Sequence, residues 1–470
     1  MAYPLGDLYL WVHQAMHLQK ITIENVRCLP RVRLAFQPRG WHVFAGRNGS
    51  GKSTLLLAIT AAFEHDAEAN PHDWIRWASQ YASITPFVAL DTGDDRFVPF
   101  VPEPDRDPGA ALEIQAAIRA LDDHGGTIDY VTHIGRSSRY FSKSIGATDY
   151  GLELIDQGLN PRPAGSGWFF AAYGVSRSLV RSKVEDGARG RSFLDLGELR
   201  AAALGDAVKL LQDMDYQRLA SAPGTPKHDT VMRVMDGATA LLNDLLQDRG
   251  VSIIGVAPEG IRVRVDGHER SLEQMSDGVK VTTALVLDLY LRMCTAYGDR
   301  LRVEHLEIAP GQRRTVIGNS GVVLIDEVEL HLHPSWQRDI GLWMVDHFPR
   351  VQFIVTTHSP FVAQAASPGC LYRMSGPGDE RGVGPVDQAT YARVVNGTID
   401  DAILSDLFGV EHLYSRRGEE LRQEIAALEV LAIRRTIDAA QQKLLDEKLA
   451  LLPRDDLSTL DRSRRVLEKL

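Results

Sequence analysis

The nine residues Gly46-Arg-Asn-Gly-Ser-Gly-Lys-Ser-Thr54 constrain this chain more than any other stretch, because of what flanks them. An apolar run, Trp41 to Ala45, precedes them, and a helix-like run, Leu55 to Phe63, follows. A buried strand that turns through a glycine-rich loop straight into a helix is the opening of a parallel α/β sheet. The loop also carries chemistry. Its glycines let backbone N–H groups wrap a triphosphate, which puts Asn48, Gly49, Ser50, Gly51 and Thr54 in the binding set. Lys52 reaches the β- and γ-phosphates, Ser53 is a ligand for Mg2+, and the helix presents its positive end. The expected cofactors are therefore ATP and Mg2+.

A second half-site lies far downstream. Val322 to Ile325 reads as a strand buried on both faces and ends in Asp326-Glu327. At the carboxyl end of a parallel strand, Asp326 is placed to hold the Mg2+ shell, and Glu327 to orient and polarise an attacking water. Alone, the pair would read as surface acids closing an ordinary strand; beside the loop at 46–54 it reads as Walker B. A third strand, Gln352 to Thr356, runs into Thr357-His358-Ser359-Pro360 and sets His358 where it reaches a γ-phosphate. Leu272-Glu-Gln-Met-Ser276-Asp277-Gly278-Val-Lys280 then precedes a strongly apolar helix, Thr282 to Met293.

Taken in order, these motifs resemble the ABC ATPase clan in its soluble SMC/RecF/OLD-like branch, over roughly residues 16–60 and 255–365. The wording Ile325-Asp-Glu-Val-Glu-Leu-His-Leu-His-Pro334, Trp336-Gln337 and Phe348-Pro-x-x-Gln352-Phe-Ile-Val-Thr-Thr-His-Ser-Pro360 resembles the bacterial AAA-family ATPases of antiphage systems. That group includes Septu PtuA, its retron-associated relatives and the PARIS ATPase. The resemblance implies that Ser276, Asp277 and Gly278 form a signature that closes on the γ-phosphate of ATP held by a second copy, and that His358 is the switch histidine. It also implies a role for Arg27, within Leu18-Gln-Lys-Ile-Thr-Ile-Glu-Asn-Val-Arg27, in holding the base or ribose, with a solvated strand-end arginine as the plainer reading. The signature departs from the transporter pattern at Met275, Asp277 and Val279-Lys280 but keeps Ser276 and Gly278. Neither Gln80 nor Gln157 sits in a convincing Q-loop setting. His331 and His333 read as interface-shaping loop residues rather than metal ligands.

The expected architecture is an α/β ABC-type P-loop NTPase head with an inserted compact α+β lobe and a helical C-terminal tail. Residues 1–15 are an extension, Met16 being an alternative start to Met1; 16–63 and 255–374 form the head, 64–254 the regulatory lobe, and 375–470 a tail for oligomerisation or partner docking. Within the lobe, Ala110 to Leu121 and Glu198 to Leu211 have helical patterns, Gly151 to Ile155 is strand-like, and Ala220 to Pro226 is a linker. Val251 to Val256 and Ile261 to Val265 form a hairpin, as do residues 301–320. Sustained heptads are absent, which excludes long coiled-coil arms.

Three scattered cysteines (Cys28, Cys294, Cys370) support neither a disulfide framework nor a zinc site. With no apolar run of about 18 residues, no membrane span is expected, and the composition suits the cytoplasm. The net charge of −10 argues against a constitutive nucleic-acid coat. Arg177, Arg181, Lys183, Arg189 and Arg191 either track a phosphate backbone, giving DNA contact, or form a solvated loop. The resemblance implies an ATPase that dimerises head to head and controls a separate effector protein, a nuclease first among candidates. A RecF/SMC-like DNA-repair ATPase, and a nucleotide-dependent scaffold with vestigial hydrolysis, remain alternatives.

Overall fold

A computed structural model describes residues 17–63, 76, 79, 81–89, 127–135, 142–147, 152–154, 169–175, 204–257, 260–376, 382–410 and 412–452. Strands β1 (His17–Val26), β2 (Leu29–Ala35) and β3 (Gly40–Ala45) lead into helix α1 (Lys52–Phe63). Next come β4 (Tyr81–Ala89), β5 (Thr127–Gly135), β6 (Ser142–Ala147), β7 (Leu152–Leu154) and β8 (Phe170–Tyr173). Helices α2 (Leu204–Ala220) and α3 (Pro226–Leu246) precede the meander β9 (Val251–Ala257), β10 (Gly260–Val265) and β11 (His268–Ser271). Helix α4 (Asp277–Tyr297), the hairpin β12 (Val303–Ala309) and β13 (Gln312–Ile317), and strand β14 (Gly321–Ile325) follow. The head closes with α5 (Pro334–His347), β15 (Val351–Thr357), α6 (Pro360–Gln364), β16 (Leu371–Arg373), β17 (Gly384–Pro385), α7 (Gln388–Val395) and α8 (Ile399–Ile403).

The central sheet runs β17-β16-β3-β15-β14-β8, all parallel except β17. Its strands β3, β14 and β15 are buried at every residue, which their unbroken apolar runs require of strands covered on both faces. Alternation then sorts their side chains. Val43, Val323, Ile325, Phe353 and Val355 join the core beneath α4, whereas Phe44, Val322, Leu324 and Ile354 join the core of α1, β1, β2 and β4. The second layer is the antiparallel sheet β2-β1-β4-β5-β6-β7. Buried Gln352 fastens it to the first, donating to Leu18 O (3.0 Å) and Gln37 O (2.7 Å) and accepting from Leu18 N (2.9 Å).

The expected separation of 64–254 as an inserted lobe needs correction. Within that span β4 pairs with β1, and β8 pairs in parallel with β14, so the segment supplies strands to both sheets of the head. Ala207 and Leu211 of α2 and Leu241 and Leu245 of α3 share the core of α4. The stretch from Ala220 is a tight turn between α2 and α3, Thr225 capping α3, rather than a linker between domains. Ala110 to Leu121, the basic residues from Arg177 to Arg191, Gln80 and Gln157 lie outside the described residues.

The tail boundary also moves. Val394, Ala402 and Leu407 are in the main core, and the compact units divide at Gly409/Val410 rather than after 374. The second unit contains α9 (Arg416–Ile433) and α10 (Ala439–Leu449), packed around Ile425, Leu445 and Leu452. The helix-like spacing of Ile399 to Phe408 is realised as a helix only from Ile399 to Ile403.

Candidate functional site

Strand order places the chemistry. Because β3, β15 and β14 are parallel neighbours, with Ala45 opposite Thr357 and Val355 opposite Ile325, their carboxyl ends form one edge. The glycine loop leaves β3 there, Asp326-Glu327 leaves β14, and His358 leaves β15 between them, where open α/β sheets bind ligands.

The loop is built for close approach. Gly51 has φ +91°, and a β-carbon on it would stand 2.8 Å from Cys28 Sγ and 3.0 Å from Leu29 Cδ2. The turn from β1 to β2 therefore abuts the start of α1, and Arg27 occupies that turn at φ 46°. Lys52 is buried and donates to Gly46 O (2.9 Å) and Arg47 O (3.1 Å). Burial pulls its ammonium down to about 8, against the opposing field of Glu327, Asp326 and Glu329, so those acids face it. Ser50 is buried, whereas Asn48, Gly49 and Ser53 are exposed and Thr54 half-buried.

Asp326 is 1% exposed. Its amide donates to Tyr173 O (2.8 Å), and its Oδ1 accepts from Thr356 Oγ1, while Oδ2 is buried without a hydrogen-bond partner. An anionic oxygen left over at that depth suits a hard divalent cation. Asp326, with the hydroxyl of Ser53 on the first turn of α1, would hold Mg2+. Glu327 takes φ 42°, rare for a residue with a side chain, and its amide donates to Thr356 Oγ1 at 2.8 Å. Thr356 thus organises both acids.

Glu329 organises the third strand end, accepting from Thr357 Oγ1 (2.7 Å) and from the amide of His358. His358 is half-buried, and its pKa is lowered by desolvation first and by the Lys52 charge second, which keeps the imidazole neutral at pH 7. Gln337 braces the same region, donating to Leu332 O (2.9 Å) and accepting from Ser359 Oγ (2.6 Å).

The signature opens α4. Ser276 is its exposed N-cap residue, and its hydroxyl makes no capping bond; Asp277 is exposed and paired to Lys280 at 2.8 Å, which lowers its pKa. A β-carbon on Gly278 would lie 2.8 Å from His331 O, so the signature rests on the loop that also carries Glu327 and Glu329. His333 caps α5, accepting from Ser335 N at 3.3 Å. Among the described residues no group of three or more His, Cys, Asp and Glu side chains could hold a metal ion. Nor is any described helix long and apolar enough to cross a membrane. Glu329 and Gln337 enter the sequence reading only within the wording at 325–334 and 336–337, Thr356 only as the end of a strand, and Tyr173 has no role there.

Fold and site together have the arrangement of a P-loop nucleotide-binding α/β domain. Residues 172–363 match the family model "AAA domain, putative AbiEii toxin, Type IV TA system", and residues 20–91 match a second "AAA domain" model. The chain resembles the "Retron Vc95 probable ATPase" of Vibrio cholerae serotype O1 biovar El Tor, 38% identical over 21% of this chain. It also resembles the "Retron Ec83 probable ATPase" of Escherichia coli, 38% identical over 23% of this chain, and Septu protein PtuA of Bacillus mycoides (strain KBAB4), 34% identical over 19%. The aligned segments span only 16%, 17% and 10% of those three relatives. Among solved structures, the SMC head domain from Thermotoga maritima aligns at 16% identity and TM-score 0.38, covering 79% of this chain and 99% of that one. The recombination mediator protein RecF with ATP aligns at 14% identity and TM-score 0.37, covering 80% and 100%.

Proposed function

We propose that this chain is the ATP-binding and ATP-hydrolysing sensor subunit of a bacterial antiphage defence complex, in which ATP-dependent pairing of two heads controls a separate effector, a nuclease by preference. The observation that carries the hydrolytic part is the convergence of buried Lys52 with three acids, one of which has an orphaned buried oxygen. Asn48 to Thr54 wrap the phosphates, and Arg27 borders the base or ribose. Asp326 and Ser53 would hold Mg2+, which would supply charge neutralisation on the β- and γ-phosphates. Glu327, fixed through its amide by Thr356, accepts a proton from the attacking water. His358, neutral and seated on Glu329, donates to the γ-phosphate. The exposed Ser276 hydroxyl, Asp277 and the amide of Gly278 at a helix N-terminus close on the γ-phosphate in the second copy. The names of the retron and Septu relatives support the defence role.

Replacing Glu327 by Gln is expected to trap an ATP-bound dimer, measured by light scattering, and Lys52→Ala to stay monomeric with ATP. Wild-type turnover in both variants would refute the reading. Co-expression of Glu327→Gln with neighbouring genes tests the effector: a stoichiometric protein partner supports it, and DNA alone supports a RecF-like repair ATPase.

A further inference from the structure

Helix α4 is buried along most of its length, and Val281, Ala284, Leu285, Val286, Leu287, Leu289 and Met293 give it an aliphatic surface. Aliphatic packing specifies a unique arrangement less sharply than a directional polar bond does. Yet the first turn of α4 must present Ser276 and Gly278 in one orientation. Something directional has to set the register of the helix.

One such polar group is in the core, and Tyr297 Oη at the far end of α4 adds another tie by donating to Ser320 O at 2.6 Å. Asp288, three turns along α4, is 8% exposed; it accepts from the phenol of Tyr173 at 2.9 Å and is ion-paired with Arg292 one turn on. Tyr173 is 2% exposed and ends β8, and its carbonyl accepts the amide of Asp326 at 2.8 Å. One residue thus holds the Walker B aspartate through its backbone and the signature helix through its side chain. A buried polar cluster of this kind adds little net stability over an apolar packing, and its best-attested use is to fix registry.

We propose that Tyr173 is a positioning residue that locks the signature helix to the Walker B strand, so that the signature each head offers its partner is set by the head's own metal-binding edge. This rests on the ATP-driven dimer reading above. Tyr173, 2% exposed, acts through Asp288 and Asp326, and it makes the two composite sites of a dimer share one frame.

The test is Tyr173→Phe, which keeps the ring and removes one hydroxyl. Binding of a fluorescent ATP analogue is expected to stay within about twofold of wild type, while kcat falls about tenfold, equivalent to about 1.4 kcal/mol. In a Ser276→Ala background the same change is expected to lower kcat by about threefold or less, because the helix has lost its signature hydroxyl and only Asp277 and the Gly278 amide remain to be placed. Asp288→Asn, which keeps an oxygen acceptor for the phenol, is expected to retain kcat within about threefold. An equal tenfold loss in both backgrounds would overturn the proposal, as would wild-type kcat in Tyr173→Phe or a loss in Asp288→Asn matching it. Absence of turnover in the wild-type protein would remove the ATPase reading itself and this proposal with it.

Discussion

Replacing Gly278 by Ala tests the contact between the signature and the loop after Walker B. The added carbon would sit 2.8 Å from His331 O, and ordinary contact begins at 3.4 Å, so the two backbones must part by 0.6 Å. Both are main chain, and no side chain can swing away. Overpacking of this size costs about 1–3 kcal/mol, while Ala for Gly in a helix returns up to about 1 kcal/mol. The net loss of about 0–2 kcal/mol leaves the head folded. Catalysis feels the shift more, since a misplacement of about 1 Å costs about a hundredfold in rate. The expected result is a kcat reduced by about tenfold or more, with unchanged affinity for a fluorescent ATP analogue and a melting temperature lowered by a few degrees at most. A kcat within about twofold of wild type, at unchanged stability, would mean that the seating of the signature on this loop does not govern turnover.

Thr356→Val keeps the shape of the side chain but removes the hydroxyl that serves Asp326 and Glu327; activity or apparent Mg2+ affinity is expected to fall about 10–100-fold, read from turnover against Mg2+ concentration. Burial holds the Lys52 ammonium down to about 8, and bound phosphates must raise that value. ATP affinity is therefore complete below pH 8, where the lysine is already charged, and weakens by up to about tenfold per pH unit above it; a flat profile through pH 9 would contradict this. Gly409, at φ +65°, lies so close to Arg47 of the glycine loop that a β-carbon would meet Nε at 2.0 Å. Gly409→Ala is expected to destabilise the head, and Arg47→Ala to relieve the collision but not the backbone strain, giving a coupling of about 0.5–3 kcal/mol by thermal unfolding.

The sequence displayed what is local and hid what is paired at a distance. The loop at 46–54 and the strand ending in Asp326 were legible because each is a short run whose period, glycines and charges already state its surroundings. Both hairpins, β9 to β10 and β12 to β13, were legible for the same reason. A strand does not carry the address of its partner, so residues 64 to 254 read from sequence alone as a lobe. The alternation of Tyr81 to Ala89 suits any half-buried edge, and only the register Thr22 opposite Thr85 shows that it extends the sheet of β1. Four residues of β8 are too few to announce a place beside β14. Likewise the composition change after 375 marks the polar faces of α7 and α8, whose buried Val394 and Ala402 still belong to the head.

The same distinction separates the residues proposed to meet the nucleotide from those that place them. Local rules are broken at the proposed site: Glu327 and Arg27 take left-handed backbone, Lys52 is buried against its charge, and Asp326 keeps an unsatisfied oxygen. Such violations cost stability, so the fold must supply rigid contacts around them. Those contacts come from Thr356, Glu329, Gln337 and Tyr173, ordinary residues for a strand end, a loop or a helix, each bonded to something remote in the chain. Tyr173 and Asp288 are 115 positions apart, and Thr356 and Asp326 are 30 apart. Their function is a property of the sheet order, which brings β8, β14 and β15 side by side, and no motif within any one segment encodes it.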